Sequence, residues 1–235
     1  MSITTVLFDL DGTLLPMDQD VFVRAYFSGI AKKVAPLGYE SEKLIKTIWA
    51  GTAAMVKNTG GITNEEAFWK AFAEVYGEES LKDIPAFDEF YLNEFEDIKN
   101  VCGYNPKAAE VIRLCEEKGL RRVLATNPIF PSVATQSRTR WAGLSVDDFE
   151  HYTTYENSCH CKPNPDYYRD IINKIGVTPE ECLMVGNDAT EDRIAETLGM
   201  KVFLLTDCLI NKNNVDIENY PHGDFDALLN YIRKL

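Results

Sequence analysis

Two aspartates, Asp9 and Asp11, follow the apolar run Val6-Leu7-Phe8 directly and precede Gly12-Thr13. Three successive apolar residues read as a strand covered on both faces, where no polar alternation is needed. Residues two apart on an extended chain point the same way, so both carboxylates converge at the strand's end. Such convergence is costly unless a cation or a proton is shared there. Gly12 lets the backbone turn sharply just beyond. Asp-Gly is also a common turn pair, so a plain polar turn is the competing reading. Three more polar groups stand at or soon after apolar runs. They are Thr126-Asn127, Lys162, and Asp188 with Asp192.

The elements that would position these groups alternate. From Asn105 onward, helix patterns and short apolar strands follow one another: a helix from Pro106 to Gly119, a strand over 122–126, a helix over 131–143, and a strand over 149–153. A helix then runs to Gly176, a strand covers 182–185, a helix about 190–198, a strand 201–205, and a closing helix 224–234. Alternation of this kind implies βαβ units and a parallel sheet, an α/β fold. In an open parallel sheet the ligand crevice lies outside the carboxyl ends of the strands, so all the polar groups fall on one edge. Between Pro16 and about Lys99 no strand pattern occurs. Helices are expected over 18–37 and 41–57, from the capping-box sequence Thr63-Asn64-Glu65-Glu66 to Gly77, and from Pro85 through Phe95. Residues 17–98 thus read as an inserted helical domain, with 1–16 and 99–235 forming the α/β core.

Composition narrows the function. Apolar residues make up 45% of the 235, enough for a sizeable core, and the net charge is −13. An acidic surface repels nucleic acid and anionic membrane, so neither is expected as a partner. Neither a basic, apolar leader nor a long apolar window is present, which points to the cytoplasm. The six cysteines read as reduced thiols. Cys159-His160-Cys161 lacks the second ligand pair that a structural zinc site needs.

Asp9-Leu10-Asp11-Gly12-Thr13 resembles the nucleophile motif of the haloacid dehalogenase-like hydrolases, most of which are magnesium-dependent phosphatases. The order of the three later groups resembles the family's remaining motifs. The resemblance covers the chain outside residues 17–98, which in turn resemble the helical cap of many members. It implies a Rossmann-like parallel sheet flanked by helices, with a small all-helical cap. It implies Asp9 as nucleophile, Asp11 as general acid and then base, Thr126 and Asn127 as phosphate-binding groups, and Lys162 as the neutralising cation. Mg²⁺ would sit on the Asp9 carboxylate, the Asp11 main-chain carbonyl and Asp188. Asp192 and Asn187 would support them. In the family's fourth motif a carboxylate usually follows the glycine directly, and here Asn187 follows Gly186. Asp188 and Asp192 keep the four-residue acid spacing; if the register is kept from Gly186, Asn187 takes the ligand slot. The expected activity is hydrolysis of a small phosphate ester by a monomer or weak homodimer. A dehalogenase, a phosphomutase and a non-catalytic phosphate-binding regulatory module are the rivals. Met17, Arg24, Trp49, Lys57 and Trp69 are the cap residues that could choose the substrate, although Trp49 and Trp69 fit helix cores better.

Overall fold

The structure, a computed structural model, describes residues 2–235. β1 (Thr5–Phe8) is central and buried along its length. It pairs in parallel with β2 (Arg121–Leu124) on one side and β4 (Cys182–Gly186) on the other. β3 (His151–Tyr152) lies outside β2, while β5 (Lys201–Leu205) and then β6 (His222–Gly223) lie outside β4. The order is β3-β2-β1-β4-β5-β6. The chain therefore runs outward on one side, returns to the centre, and runs outward on the other. The reversal falls between β1 and β4, which is where a crevice opens in such sheets.

Both faces of the sheet are covered, and this explains the unbroken apolar runs. Val6, Phe8, Leu124, Leu183 and Val185 pack with α5 (Lys107–Glu117), α6 (Ser132–Trp141) and α8 (Phe225–Arg233). Leu7, Val123, Met184 and Leu204 pack on the other face against Tyr167, Tyr168, Ile171 and Ile172 of α7 (Pro165–Ile175).

Between β1 and β2 lie α1 (Gln19–Val34), α2 (Ser41–Val56), α3 (Asn64–Tyr76), α4 (Ile84–Leu92) and 3₁₀ turns over Glu94–Val101. Their starts are set locally. Asp18 accepts from the Val21 amide at 3.0 Å, and Thr63 and Glu66 cap α3 reciprocally. The apolar interior of this block is continuous with that of the sheet layer. Phe22 and Tyr26 meet Phe130 edge-on at ring distances of 6.1 and 5.4 Å, and Phe95 stacks on Trp141 at 5.1 Å.

Two local expectations need correction, and one short strand was not anticipated. Residues 190–198 form turns and a 3₁₀ segment (Arg193–Leu198), not an α-helix. Asp188 Oδ1 accepts from the amides of Thr190 and Glu191 at 2.7 and 2.9 Å, and Asp192 Oδ2 accepts from the Asp188 amide at 2.9 Å. β6 carries no apolar run and is defined by its pairing alone. Trp49 is 51% exposed rather than lodged in a helix core, whereas Trp69 is buried.

Candidate active site

Strand register assembles the site. Phe8 lies level with Leu124 and with Val185, so Asp9, Ala125-Thr126 and Gly186-Asn187 leave three adjacent strands side by side. The Asp9 amide donates to the Val185 carbonyl at 2.9 Å, and the Ala125 amide to the Phe8 carbonyl at 2.7 Å, which extends both ladders to the site.

The Asp9 carboxylate is buried and held at both oxygens. Oδ1 accepts from Lys162 Nζ at 2.9 Å, and Oδ2 from the Thr13 hydroxyl at 3.0 Å. Lys162 also donates to Asp192 Oδ1 at 2.7 Å. It precedes α7, whose start is fixed by Asn164 capping the Asp166 amide at 2.9 Å. Burial pushes the Asp9 carboxyl up to about 7; Lys162 pulls it down, and Asp192 and Asp11 push it up again. Burial alone would make Lys162 easier to deprotonate, but Asp192 and Asp9 together raise its pKa well above the usual value.

Asp11 leans away from Lys162. Its Oδ2 takes the guanidinium of Arg138 on α6, and its buried Oδ1 has no protein partner. Arg138 is fully buried, lies over the Phe130 ring at 4.5 Å, and also donates to the Ala134 carbonyl and Thr135 hydroxyl, each at 3.3 Å. Thr126 is buried at the end of β2; its carbonyl accepts from Thr153 Oγ1 at 2.6 Å and the Tyr167 hydroxyl at 2.8 Å. Asn127 ties three loops together: its amide donates to Glu191 Oε2 at 3.1 Å, and its Oδ1 accepts from the Lys162 amide at 3.2 Å.

Asn187 and Asp188 face different tasks. Asn187 Oδ1 lies 3.0 Å from the Thr13 hydroxyl, and its Nδ2 donates to the Cys208 carbonyl at 2.7 Å. Asp188 Oδ1 is occupied by the amides of its own loop. Two glycines permit these approaches. Gly12, at φ +82°, lies where a Cβ would overlap Asn187, and a Cβ on Gly186 would overlap the Asp192 carboxylate. Gly186→Ala should therefore part the Lys162–Asp192 pair and lower stability by about 1–3 kcal/mol. Thermal unfolding checks this; an unchanged midpoint would show that the loop yields freely.

The residues suit a hard divalent cation. Thr13 has one hydroxyl proton for two oxygens, Asp9 Oδ2 and Asn187 Oδ1, so one oxygen is left without a donor. Asp11 Oδ1 is likewise unpartnered. Asp9, Asp11 and Asp192 also outnumber their two cationic partners, Lys162 and Arg138. Among the described residues no group of three or more His, Cys, Asp or Glu side chains is arranged to hold a metal. A cation here would draw on amide and main-chain oxygens as well as carboxylates.

Sequence reasoning missed Arg138 and Glu191. Arg138 sits on the buried stripe of α6 with Ala134, Thr135 and Trp141, a helical spacing that could have flagged it. Glu191 lines the same cavity; burial pushes it up to about 7, Lys162 opposing and Asp188 and Asp192 adding to the rise. Above Asp9 and Asp11 the cavity extends for about 370 Å³ between the sheet edge and the helical block.

A family model for haloacid dehalogenase-like hydrolases matches residues 3–196. The chain belongs to that family of hydrolases. The chain is 23% identical over 188 residues to pyrophosphatase PpaX of Oceanobacillus iheyensis, covering 80% of this chain and 76% of that one. It is 24% identical over 201 residues to the Arabidopsis thaliana chloroplastic protein SUPPRESSOR OF QUENCHING 1, covering 85% of this chain but only 17% of that protein's length. Among solved structures, a predicted phosphoglycolate phosphatase from Haemophilus somnus has the same fold, with a TM-score of 0.60 at 19% identity over 98% of both chains.

Proposed function

We propose that the chain is a magnesium-dependent phosphomonoester hydrolase that works through an aspartyl-phosphate on Asp9. The observation that carries this reading is the Asp9 carboxylate, held between Lys162 and Thr13 at the floor of a cavity that Asp11 also lines. Asp9 attacks phosphorus, and Lys162 offsets the charge gathered on nucleophile and phosphoryl. Thr126 hydrogen-bonds a phosphoryl oxygen, while Asn127 holds the loops of Thr126, Lys162 and Glu191 in place. Asp11 gives a proton to the departing oxygen and then takes one from the water that attacks the intermediate at phosphorus. Arg138 fixes the carboxylate of Asp11 for both tasks. Bound magnesium supplies further positive charge to the phosphoryl oxygens. Helices over residues 17–98 act as the cap that closes on the substrate and excludes water.

The ester is a small molecule. With a net charge of −13, neither nucleic acid nor an anionic membrane is a partner, and no described helix is long and apolar enough to cross a membrane. The enzyme works in the cytoplasm as a monomer or weak homodimer.

Magnesium would be held by the Asp9 carboxylate, the Asp11 main-chain carbonyl and the Asn187–Asp188 segment. Of the two registers, we favour Asn187 beside Asp9, because its Oδ1 meets the same hydroxyl as Asp9 Oδ2 while two amides engage Asp188 Oδ1. Asn187→Ala should weaken magnesium binding more than Asp188→Ala in calorimetry; the reverse order would put Asp188 in the slot. Magnesium affinity should also fall as the pH drops below about 7, because protons compete for Asp9. The direct test of function is release of nitrophenol from p-nitrophenyl phosphate. It should depend on magnesium and vanish in chelator; undiminished release in chelator would contradict the metal assignment.

A further inference from the structure

The far end of the cavity is unlike its floor. Tyr26, Phe27, Trp49, Phe68, Trp69 and Phe87 wall it. Ring pairs Phe27–Trp49 and Phe68–Trp69 lie 5.4 and 5.1 Å apart, forming a near-continuous aromatic surface. The wall offers few free polar groups: Tyr26 and Tyr91 bond each other at 2.8 Å and Thr52 donates to the Ile48 carbonyl at 2.9 Å, while the Trp69 Nε1–H has no partner among the described residues and the Tyr155 hydroxyl also lines the cavity. Among the lining residues Lys212 is the sole lysine or arginine, and it is exposed. Lys162 and Arg138 are committed to carboxylates beneath the floor. Trp49 and Val56 are 51% and 41% exposed while lining the cavity, apolar surface that a ligand would cover.

A substrate whose leaving group carries a carboxylate or second phosphate would bring charge against an aromatic wall that itself carries no cation, Lys212 lying instead on the exposed loop beside Asp188 and Thr190. A sugar would leave several hydroxyls without partners. We infer that the leaving group is uncharged and mainly apolar, an aryl or arylalkyl alcohol presented as its phosphate monoester. This inference rests on the phosphomonoesterase reading above. At 370 Å³ the cavity has room for a phosphoryl group and an aromatic ring. The class differs from pyrophosphate and phosphoglycolate, each of which carries a second anion.

The test compares 2-phenylethyl phosphate with ethyl phosphate, whose leaving alcohols differ little in acidity, and with phosphoglycolate and glucose 6-phosphate. kcat/KM should favour 2-phenylethyl over ethyl phosphate by at least about 30-fold, through burial of the ring. It should favour 2-phenylethyl phosphate over both polar esters as well. Trp49→Arg, at an exposed position, adds the missing cation and should shift the ratio toward phosphoglycolate by about tenfold or more. A preference for phosphoglycolate or glucose 6-phosphate, or equal rates for the phenylethyl and ethyl esters, would overturn the inference. A binding arm separates it from the reading on which it rests. 2-Phenylethylphosphonate should bind more tightly than ethylphosphonate, read by tryptophan fluorescence or calorimetry, and equal binding would overturn the inference. If no ester releases phosphate, the phosphatase reading fails, and the phosphonate pair alone upholds or overturns the aromatic preference.

Discussion

Asp9→Asn should abolish turnover of every phosphate ester, by at least about 10⁴-fold, because it removes the nucleophile and not merely a helper. An amide of the same shape keeps one oxygen to accept from Lys162, and its NH2 can donate to the Thr13 hydroxyl oxygen, which then donates to Asn187 Oδ1, so the loss is chemical rather than structural. Stability should move the other way. The folded Asp9 carboxyl titrates near 7 against an ordinary value of 3.8, burial being the main cause. As pH rises between those values the unfolded chain releases its proton first, so folding loses stability across that window. Asn has no proton to lose, and Asp9→Asn should flatten the dependence and raise the melting temperature near neutral pH. A variant that is inactive but also less stable at neutral pH would contradict the idea that Asp9 is held against its solvation preference. Comparing melting curves from pH 4 to 8 with and without the substitution reads this directly.

Asp11→Asn should separate the two half-reactions. Asn keeps an oxygen to accept from the Arg138 guanidinium, although the buried arginine loses its counter-charge, so stability should fall alongside the change in kinetics. An aryl phosphate with a good leaving group needs little protonation as its bond breaks, so phosphoryl transfer to Asp9 should continue. Hydrolysis of the intermediate should stall, since general base help is worth about 10²–10⁴-fold. Rapid quench should show a burst of aryl alcohol near one per enzyme and then slow release. With an alkyl phosphate both steps need Asp11, and no burst should appear. A burst from the alkyl ester, or none from the aryl ester, would assign the proton transfers to another group.

Much of the fold was legible because the strands are covered on both faces. Val6-Leu7-Phe8 and Leu183-Met184-Val185 announce themselves as unbroken apolar runs, and Asp9 and Asn187 follow at once from parallel register. The helical block was legible from caps such as Thr63–Glu66 and from the lack of any strand pattern. The rest depends on groups that act at a distance in sequence. Residues 190–198 carry a helical pattern, yet they form turns and a 3₁₀ segment whose amides are partly engaged by the carboxylates of Asp188 and Asp192. Arg138 reaches Asp11 across 127 positions, a pairing that no local pattern encodes. Trp49 has the spacing of a core residue, but its face of α2 opens on the cavity instead of another helix. Of the candidate site, the residue types and their shared edge could be read in advance. The division of labour between Asn187 and Asp188 could not, because it depends on which oxygen meets Thr13.

The most direct test of catalysis through Asp9 is to trap its phosphoryl ester. Asp11→Asn enzyme is mixed with magnesium and an aryl phosphate, quenched in acid within the burst, and reduced with borohydride. Reduction converts an acyl phosphate on aspartate to homoserine, which peptide mass spectrometry locates. Homoserine should appear at position 9, only when substrate was added, and in proportion to the burst. Alcohol release with position 9 left as aspartate, or homoserine at another carboxylate, would contradict covalent catalysis by Asp9.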